Sequence, residues 1–162
     1  MEHVEIIHNK PYEAIAIMQE VARWGRGIGL RVWPEEWLTE EELFSEEATR
    51  DTFCIGEVNG QSACAFILQD SDIEYWGTHS SESAVYWHKF CVKREFAHKD
   101  MTKSVLEAIR SECKSKGIKY IRLDTGLDEK VVRKIYLNAG FKIVDIIDYD
   151  NGNSMALYEI EV

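Results

Sequence analysis

The spacing of apolar positions changes several times along the chain, and each change marks an element. Ala84–Val92 (AVYWHKFCV) reads as a strand, followed by a polar loop, Lys93–Asp100 (KREFAHKD). Met101–Lys116 (MTKSVLEAIRSECKSK) then reads as a helix ended by Gly117. Lys119–Thr125 (KYIRLDT) predicts a second strand. Glu129–Ala139 predicts a second helix, closed by Gly140 with Phe141 packed behind it. Within that helix Val132, Ile135 and Ala139 mark the packed face, and Tyr136 lies beside it. A strand that turns straight into a helix N-terminus presents free N–H groups and a positive dipole end, a ready site for a phosphorylated ligand.

Around this centre the pattern continues. Residues 3–8 (HVEIIH) alternate weakly, as in a short edge strand. Pro11 opens a helix in which Ile15, Met18, Val21 and Ala22 recur at helical spacing, and the glycines of Arg26–Leu30 end it. In the next twenty residues Trp33, Trp37, Leu38 and Phe44 interleave with seven glutamates, and Thr39 with Glu42 has capping-box spacing for a helix over 40–48. With Trp24 this segment reads either as an aromatic lid over a substrate or as amphipathic helices covering a sheet. Taken one tryptophan at a time, the covering role is the ordinary one.

Asn59-Gly60 joins two β-rich runs in a hairpin that pairs Val58 with Gln61, Ile55 with Cys64 and Cys54 with Ala65. That register puts Cys54 and Cys64 on opposite faces. Asp70–Ser83 is polar and turn-rich, a loop that would carry Trp76 toward a site. A final hairpin turns at Asn151-Gly152. The expected fold is α/β in the mixed sense. It is a mostly antiparallel sheet with a central parallel strand pair, a right-handed crossover and helices on both faces.

Length adds one expectation: 162 residues make a single domain, 1–162. A net charge of −10 opposes general binding to nucleic acid or anionic membrane and suits a cationic substrate. No basic, then apolar leader opens the chain, and no window approaches a membrane span. The four cysteines contain no CxxC pair, so they read as reduced thiols in a cytoplasmic protein. The histidines lack ligand spacing, so no metal is expected.

The run from His88 resembles the GNAT superfamily of N-acetyltransferases. HKFCVKREFAHKDMTKSVLEAI, YIRLDTG and KIYLNAGF stand where that family has strand, phosphate loop and helix, then an Arg-Leu-Asp strand, then a helix ending in Tyr-x-x-x-Gly-Phe. The resemblance implies acetyl-CoA as co-substrate and a primary amine of a small molecule or peptide as acceptor. It also implies that the backbone of Phe90, Cys91 and Val92 pairs with the pantetheine arm and polarises the thioester. Ala97, His98, Lys99, Asp100, Met101 and Thr102 would wrap the pyrophosphate, and Tyr136 would protonate the departing thiolate.

This chain departs from the family at His98, Asp100 and Thr102, where glycine is usual, and at Glu129, where Asn is common. Glycine allows positive φ and close approach to phosphate, whereas Asp100 brings a carboxylate and suits a helix N-cap. These departures support an alternative, a catalytically degenerate GNAT-fold module for ligand binding or dimerisation.

His88 is the general-base candidate by chemical type. Period two puts it on one face with Tyr86 and Phe90, company that also suits a buried structural histidine. Glu57 and Glu74 are further candidates, and Asp124 reads as a strand-end residue. The acceptor would lie near the Trp24–Trp37 segment, His88 and the Asp148–Asn153 turn. The final hairpin offers an edge through which a homodimer could pair.

Overall fold

The structure is a computed structural model and describes residues 1–79 and 82–162. Ser80 and Ser81, part of the stretch predicted as loop, lie outside the described residues. Seven strands form one sheet: β1 (Glu5–Ile7), β2 (Phe53–Val58), β3 (Gln61–Gln69), β4 (Ala84–Val92), β5 (Tyr120–Gly126), β6 (Lys142–Asp148) and β7 (Ser154–Glu161). Their order across the sheet is β1-β2-β3-β4-β5-β7-β6, and every pair is antiparallel except β4–β5. This is the mixed sheet expected from the pattern.

One face is covered by α1 (Pro11–Gly27), whose Ala14, Ile15, Ile17, Met18 and Ala22 pack on Phe53, Ile55, Ala65, Ile67 and Cys91. The other is covered by α4 (Met101–Lys116), whose Met101, Val105, Leu106, Ile109 and Cys113 pack on Cys54, Cys64, Phe66, Val85, Trp87, Ile121 and Leu123. Gly117 caps α4 at φ 70°, the left-handed value that glycine takes without steric cost. Among the described residues no helix is long and apolar enough to cross a membrane.

Two β-bulges shift faces that strict alternation would assign. In the first hairpin Val58 pairs with Gln61 and Glu57 with Ser62, but Gly56 then pairs with Cys64, leaving Ala63 as the extra residue. Ile55 therefore pairs with Ala65 and Cys54 with Phe66, not with Cys64 and Ala65. Cys54 and Cys64 consequently share the α4 face rather than pointing apart. A Cβ at Gly56 would stand 2.5 Å from Cys64 Sγ and 3.0 Å from Val4 Cγ1. Gly56→Ala should therefore lower stability by about 1–3 kcal/mol through overpacking; urea unfolding reads this directly.

The second bulge is in β4. Ala65 pairs with Cys91 and Ile67 with His88, so Lys89 and Phe90 together oppose Phe66. Lys89 takes φ 53° to make the kink. Phe90 is thereby turned to the α4 face, against Trp87 (ring centroids 4.8 Å apart) and Phe66, and away from the face it was expected to share with His88.

Three other expectations change. The helix over 40–48 is only α2 (Glu40–Leu43): Thr39 caps it as expected, but Phe44 is already extended (φ −74°, ψ 137°). Within Asp70–Ser83, Asp72 Oδ1 accepts from Tyr75 N at 3.1 Å and starts α3 (Ile73–Trp76). Trp76 is fully buried beside Arg122 and Tyr86, so it belongs to the core rather than to a site. In α5 (Lys130–Asn138) the packed residues are Tyr136 and, just past its end, Ala139, while Val132 and Ile135 are exposed. Arg133 tips the helix this way by donating to Tyr158 Oη at 2.9 Å and to the Leu127 carbonyl at 2.8 Å.

At the far edge, β6 exposes Ile143, Val144 and Ile146. A bulge at Val144 interrupts its pairing with β7, and Asp145 Oδ1 takes the Ile146 N–H at 2.8 Å. Bulges and edge charges of this kind blunt an open strand.

Candidate active site

The parallel pair β4–β5 is joined only at Ala84–Tyr86 with Tyr120–Arg122. Beyond Tyr86 the two strands diverge, while β3 stays paired with β4 to Val92 and β7 stays paired with β5 to Gly126. The sheet is thus split in its middle. Along Trp87–Val92 the backbone of β4 has no neighbouring strand on the β5 side, a free edge inside the sheet. Phe90, Cys91 and Val92 lie on this edge.

The β4–α4 connection stands at the open end of the split. His98 and Asp100 both have left-handed backbone, at φ 66° and φ 54°. These are two of the positions where glycine was expected, so the backbone holds a glycine-like shape without glycine. Thr102 does not have positive φ and lies in the first turn of α4, where glycine would add no freedom the turn needs. Asp100 was expected to cap α4, but its side chain makes no capping bond. The left-handed backbone leaves the carboxylate exposed, with Lys103 Nζ 3.6 Å away. Among the described residues the N–H groups of His98 to Lys103 have no hydrogen-bond partner. Lys99 reaches Glu2 at 3.7 Å, and Ala97 closes a short 3₁₀ turn by donating to the Arg94 carbonyl.

His88 projects from β4 on the α1 face, just before the bulge, between two carboxylates. Asp72 Oδ2 is 3.1 Å from its Nε2, and Asp124 Oδ1 is 3.4 Å from its Nδ1. Neither carboxylate oxygen meets hydrogen-bond geometry, so both contacts are electrostatic, and each oxygen is buried without a partner. One ligand atom from each of Asp72, His88 and Asp124 lies within 4.8 Å of the other two, close enough to gather around a cation. Burial pushes the Asp124 carboxyl above its ordinary range, and His88 opposes that shift.

Lys89 is partly buried, with its ammonium 5.3 Å from the centre of the Trp33 ring. Burial lowers its pKa, against the pull of Asp124, Glu129 and Glu74. Tyr75 and Tyr149 meet edge to face at 6.5 Å, bringing α3 and the β6–β7 turn together. Burial raises both phenols, Tyr75 to about 12, and the charges of Asp72, Glu74 and Asp124 add to each. Tyr149 Oη is a third buried polar atom without a partner.

Tyr136 stands on the other face of the sheet, packed between Trp87 and Phe141. Desolvation raises its pKa well above the ordinary phenol value, and the charges of Asp124 and Glu129 add to the shift. Glu129 spends its carboxylate on the Gly126 N–H at 2.8 Å.

The structure therefore gathers His88, the Phe90–Val92 edge and Tyr136 about one split, with the His98–Thr102 loop at its end. It also brings Trp33 and Tyr149, from the two segments expected at the acceptor, to the His88 side. Asp72, Asp124, Lys89 and Tyr75 were not singled out for this chemistry. The available signals were Asp72 standing three residues before Tyr75 as an N-cap, and Asp124 two residues after Arg122 on the same strand face.

No protein-family model matches the chain, and no curated protein matches it in sequence. Solved structures do match in shape. A GNAT-family acetyltransferase from Listeria monocytogenes superposes with a TM-score of 0.75 at 20% identity, covering 98% of this chain and 95% of that one. A GNAT-family acetyltransferase from Streptococcus agalactiae gives 0.68 at 13% identity, covering 98% and 95%. The chain has the GNAT fold. The ribosomal-protein-S18-alanine N-acetyltransferase from Escherichia coli shares it, with a TM-score of 0.62 at 12% identity over 98% of this chain and 93% of that one.

Proposed function

We propose that this protein is an N-acetyltransferase that moves an acetyl group from acetyl-CoA to a primary amine of a small molecule or peptide. The observation that carries the reading is the split sheet with a loop at its end whose His98 and Asp100 keep the backbone shape of glycine. Free N–H groups at the start of α4 suit a pyrophosphate, and the free β4 edge suits the amide-bearing pantetheine arm. Acetyl-CoA, when held there, supplies an acyl group activated as a thioester.

The chain's own residues divide the work between the two faces of the sheet. On the α1 face His88 takes a proton from the acceptor ammonium, freeing the lone pair for attack. A backbone N–H on the Phe90–Val92 edge donates to the carbonyl oxygen as charge develops on it. On the α4 face Tyr136 donates its proton to the departing sulfur, and the second proton, which the nitrogen still carries after attack, leaves to the phenolate or to water as the amide forms. The split lets these groups meet without a helix or strand in between.

The degenerate-module reading rests on the missing glycines, the Asp100 carboxylate and Glu129; the left-handed backbone at His98 and Asp100 counts against the first of these. Calorimetric titration with acetyl-CoA and with CoA tests the point: micromolar binding is expected, and no heat at millimolar ligand would overturn the proposal. The double variant His98→Gly with Asp100→Gly should bind CoA more tightly, because it removes one carboxylate near the phosphates and two Cβ atoms that limit close approach of the backbone. Relief of the left-handed strain, present in the ligand-free loop already, should appear as added fold stability instead.

A further inference from the structure

We infer that the acceptor is an aliphatic amine with a second positive charge and no carboxylate, its reacting ammonium seated among Asp72, His88 and Asp124. This deepens the proposed function and rests on it for the reaction, but not for binding of the amine.

Three observations converge. Asp72 is 6% exposed, its Oδ1 is engaged in capping α3, and its Oδ2 is buried without a hydrogen bond, facing His88. Asp124 Oδ1, on the other side of the imidazole, and Tyr149 Oη are likewise buried and unpartnered. Buried acceptors left without donors are costly, so a structure that retains them is shaped for a donor that arrives later. The cluster atoms of Asp72, His88 and Asp124 lie within 4.8 Å of one another. A single nitrogen at hydrogen-bond distance, about 2.8 Å, can reach all three. An ammonium brings three N–H donors to such a place.

Charge points the same way. Asp72, Glu74, Asp124 and Glu129 stand near enough for their charges to act on Tyr75, Tyr149, Lys89 or Tyr136. Besides His88, the basic side chains whose charges act on this group are Lys89 and, beside Glu129, Arg31. Four carboxylates against Lys89 and Arg31, the latter already paired with Asp128 at 2.8 Å, leave the acceptor side negative, and such a field attracts cations and repels carboxylates. Glu74 is exposed on α3 next to Tyr75, further out than Asp72, and has no cation at ion-pair distance among the described residues. Its free carboxylate is the one we assign to the second positive charge.

A series of equal chain length tests this: 1,4-diaminobutane, butylamine and 4-aminobutanoate, which end in an ammonium, a methyl and a carboxylate. Binding of each to the full-length protein is measured by calorimetry without acetyl-CoA, and turnover is then followed by thiol release. The diamine should bind about fivefold more tightly than butylamine, the value of one partly exposed ion pair, and 4-aminobutanoate should bind most weakly. Glu74→Gln should bring the diamine and butylamine together. Asp72→Asn, which keeps an oxygen to cap α3, and Asp124→Asn should each weaken the diamine about tenfold or more.

Equal or tighter binding of 4-aminobutanoate would overturn the inference. So would stoichiometric Zn²⁺ binding that the diamine cannot displace, which would make the cluster a metal site. Diamine binding without acetyl-CoA binding would leave the inference standing and bring down the acetyltransferase reading instead.

Discussion

Replacing His88 with Ala is expected to lower kcat about 10²–10⁴-fold, the usual worth of a positioned general acid or base. Fold stability should fall as well, because the imidazole lies between two buried carboxylates, so kcat is compared per folded molecule. An amine attacks only as the free base, and an ammonium held among carboxylates resists losing its proton. The more firmly Asp72 and Asp124 hold the cation, the more the reaction needs a base touching it. His88 is the neutral-capable group between them, fixed on β4 beside the free edge that would carry the thioester.

Three readouts separate this role from a structural one. First, the variant should retain acetyl-CoA binding, since no His88 contact reaches the α4 loop. Second, its rate should recover in part as pH rises and the amine deprotonates in solution. Third, exogenous imidazole should restore part of the lost rate. A His88→Ala enzyme with unchanged kcat would remove the base from the mechanism and leave Asp124 or a water chain in its place.

Much of this frame was legible in the sequence. The bounds of β4 and α4, Ala84–Val92 and Met101–Lys116, follow from apolar run, helical period and Gly117, all local signals. The hairpin turn at Asn59-Gly60 and the parallel β4–β5 pair are local in the same sense. What escaped was the non-local or non-glycine part. A bulge built on Lys89, or a left-handed loop built on His98 and Asp100, carries no sequence flag, because the surrounding structure imposes the conformation on residues that resist it. Alternation then assigns Phe90 and Cys64 to the wrong faces. The carboxylates about His88 come from α3 and β5, far apart in the chain, and only the fold brings them together.

Arg122→Ala is expected to cost about 3–5 kcal/mol of stability, the usual result of breaking a buried ion pair from one side. Arg122 is fully buried on β5, two residues before Asp124 and on the same face. Its guanidinium donates to Glu159 at 2.7 Å, Glu82 at 2.7 Å, Tyr86 Oη at 3.0 Å and the His79 carbonyl at 3.1 Å, with the Trp76 ring 4.7 Å away. It therefore ties β5 to β7, β4 and the α3 segment at once. Truncation would leave Glu159, only 20% exposed, without its cation, and would open a void beside Trp76.

The contrast along β5 is informative. Arg122 is paired in every direction, whereas Asp124 keeps an unmet oxygen toward His88, so the strand is saturated where it builds and unsaturated where it would bind. Arg122→Met, with Glu159→Leu, replaces the ion pair by apolar volume and should recover much of the lost stability. It should not recover function as fully, because Arg122 also holds the His79 carbonyl and Glu82, just past α3, and so helps keep Asp72 against His88. Urea unfolding of the single and double variants measures the first effect. The KM for the amine in the stable double variant measures the second, and an unchanged KM would show that α3 keeps Asp72 in place without Arg122.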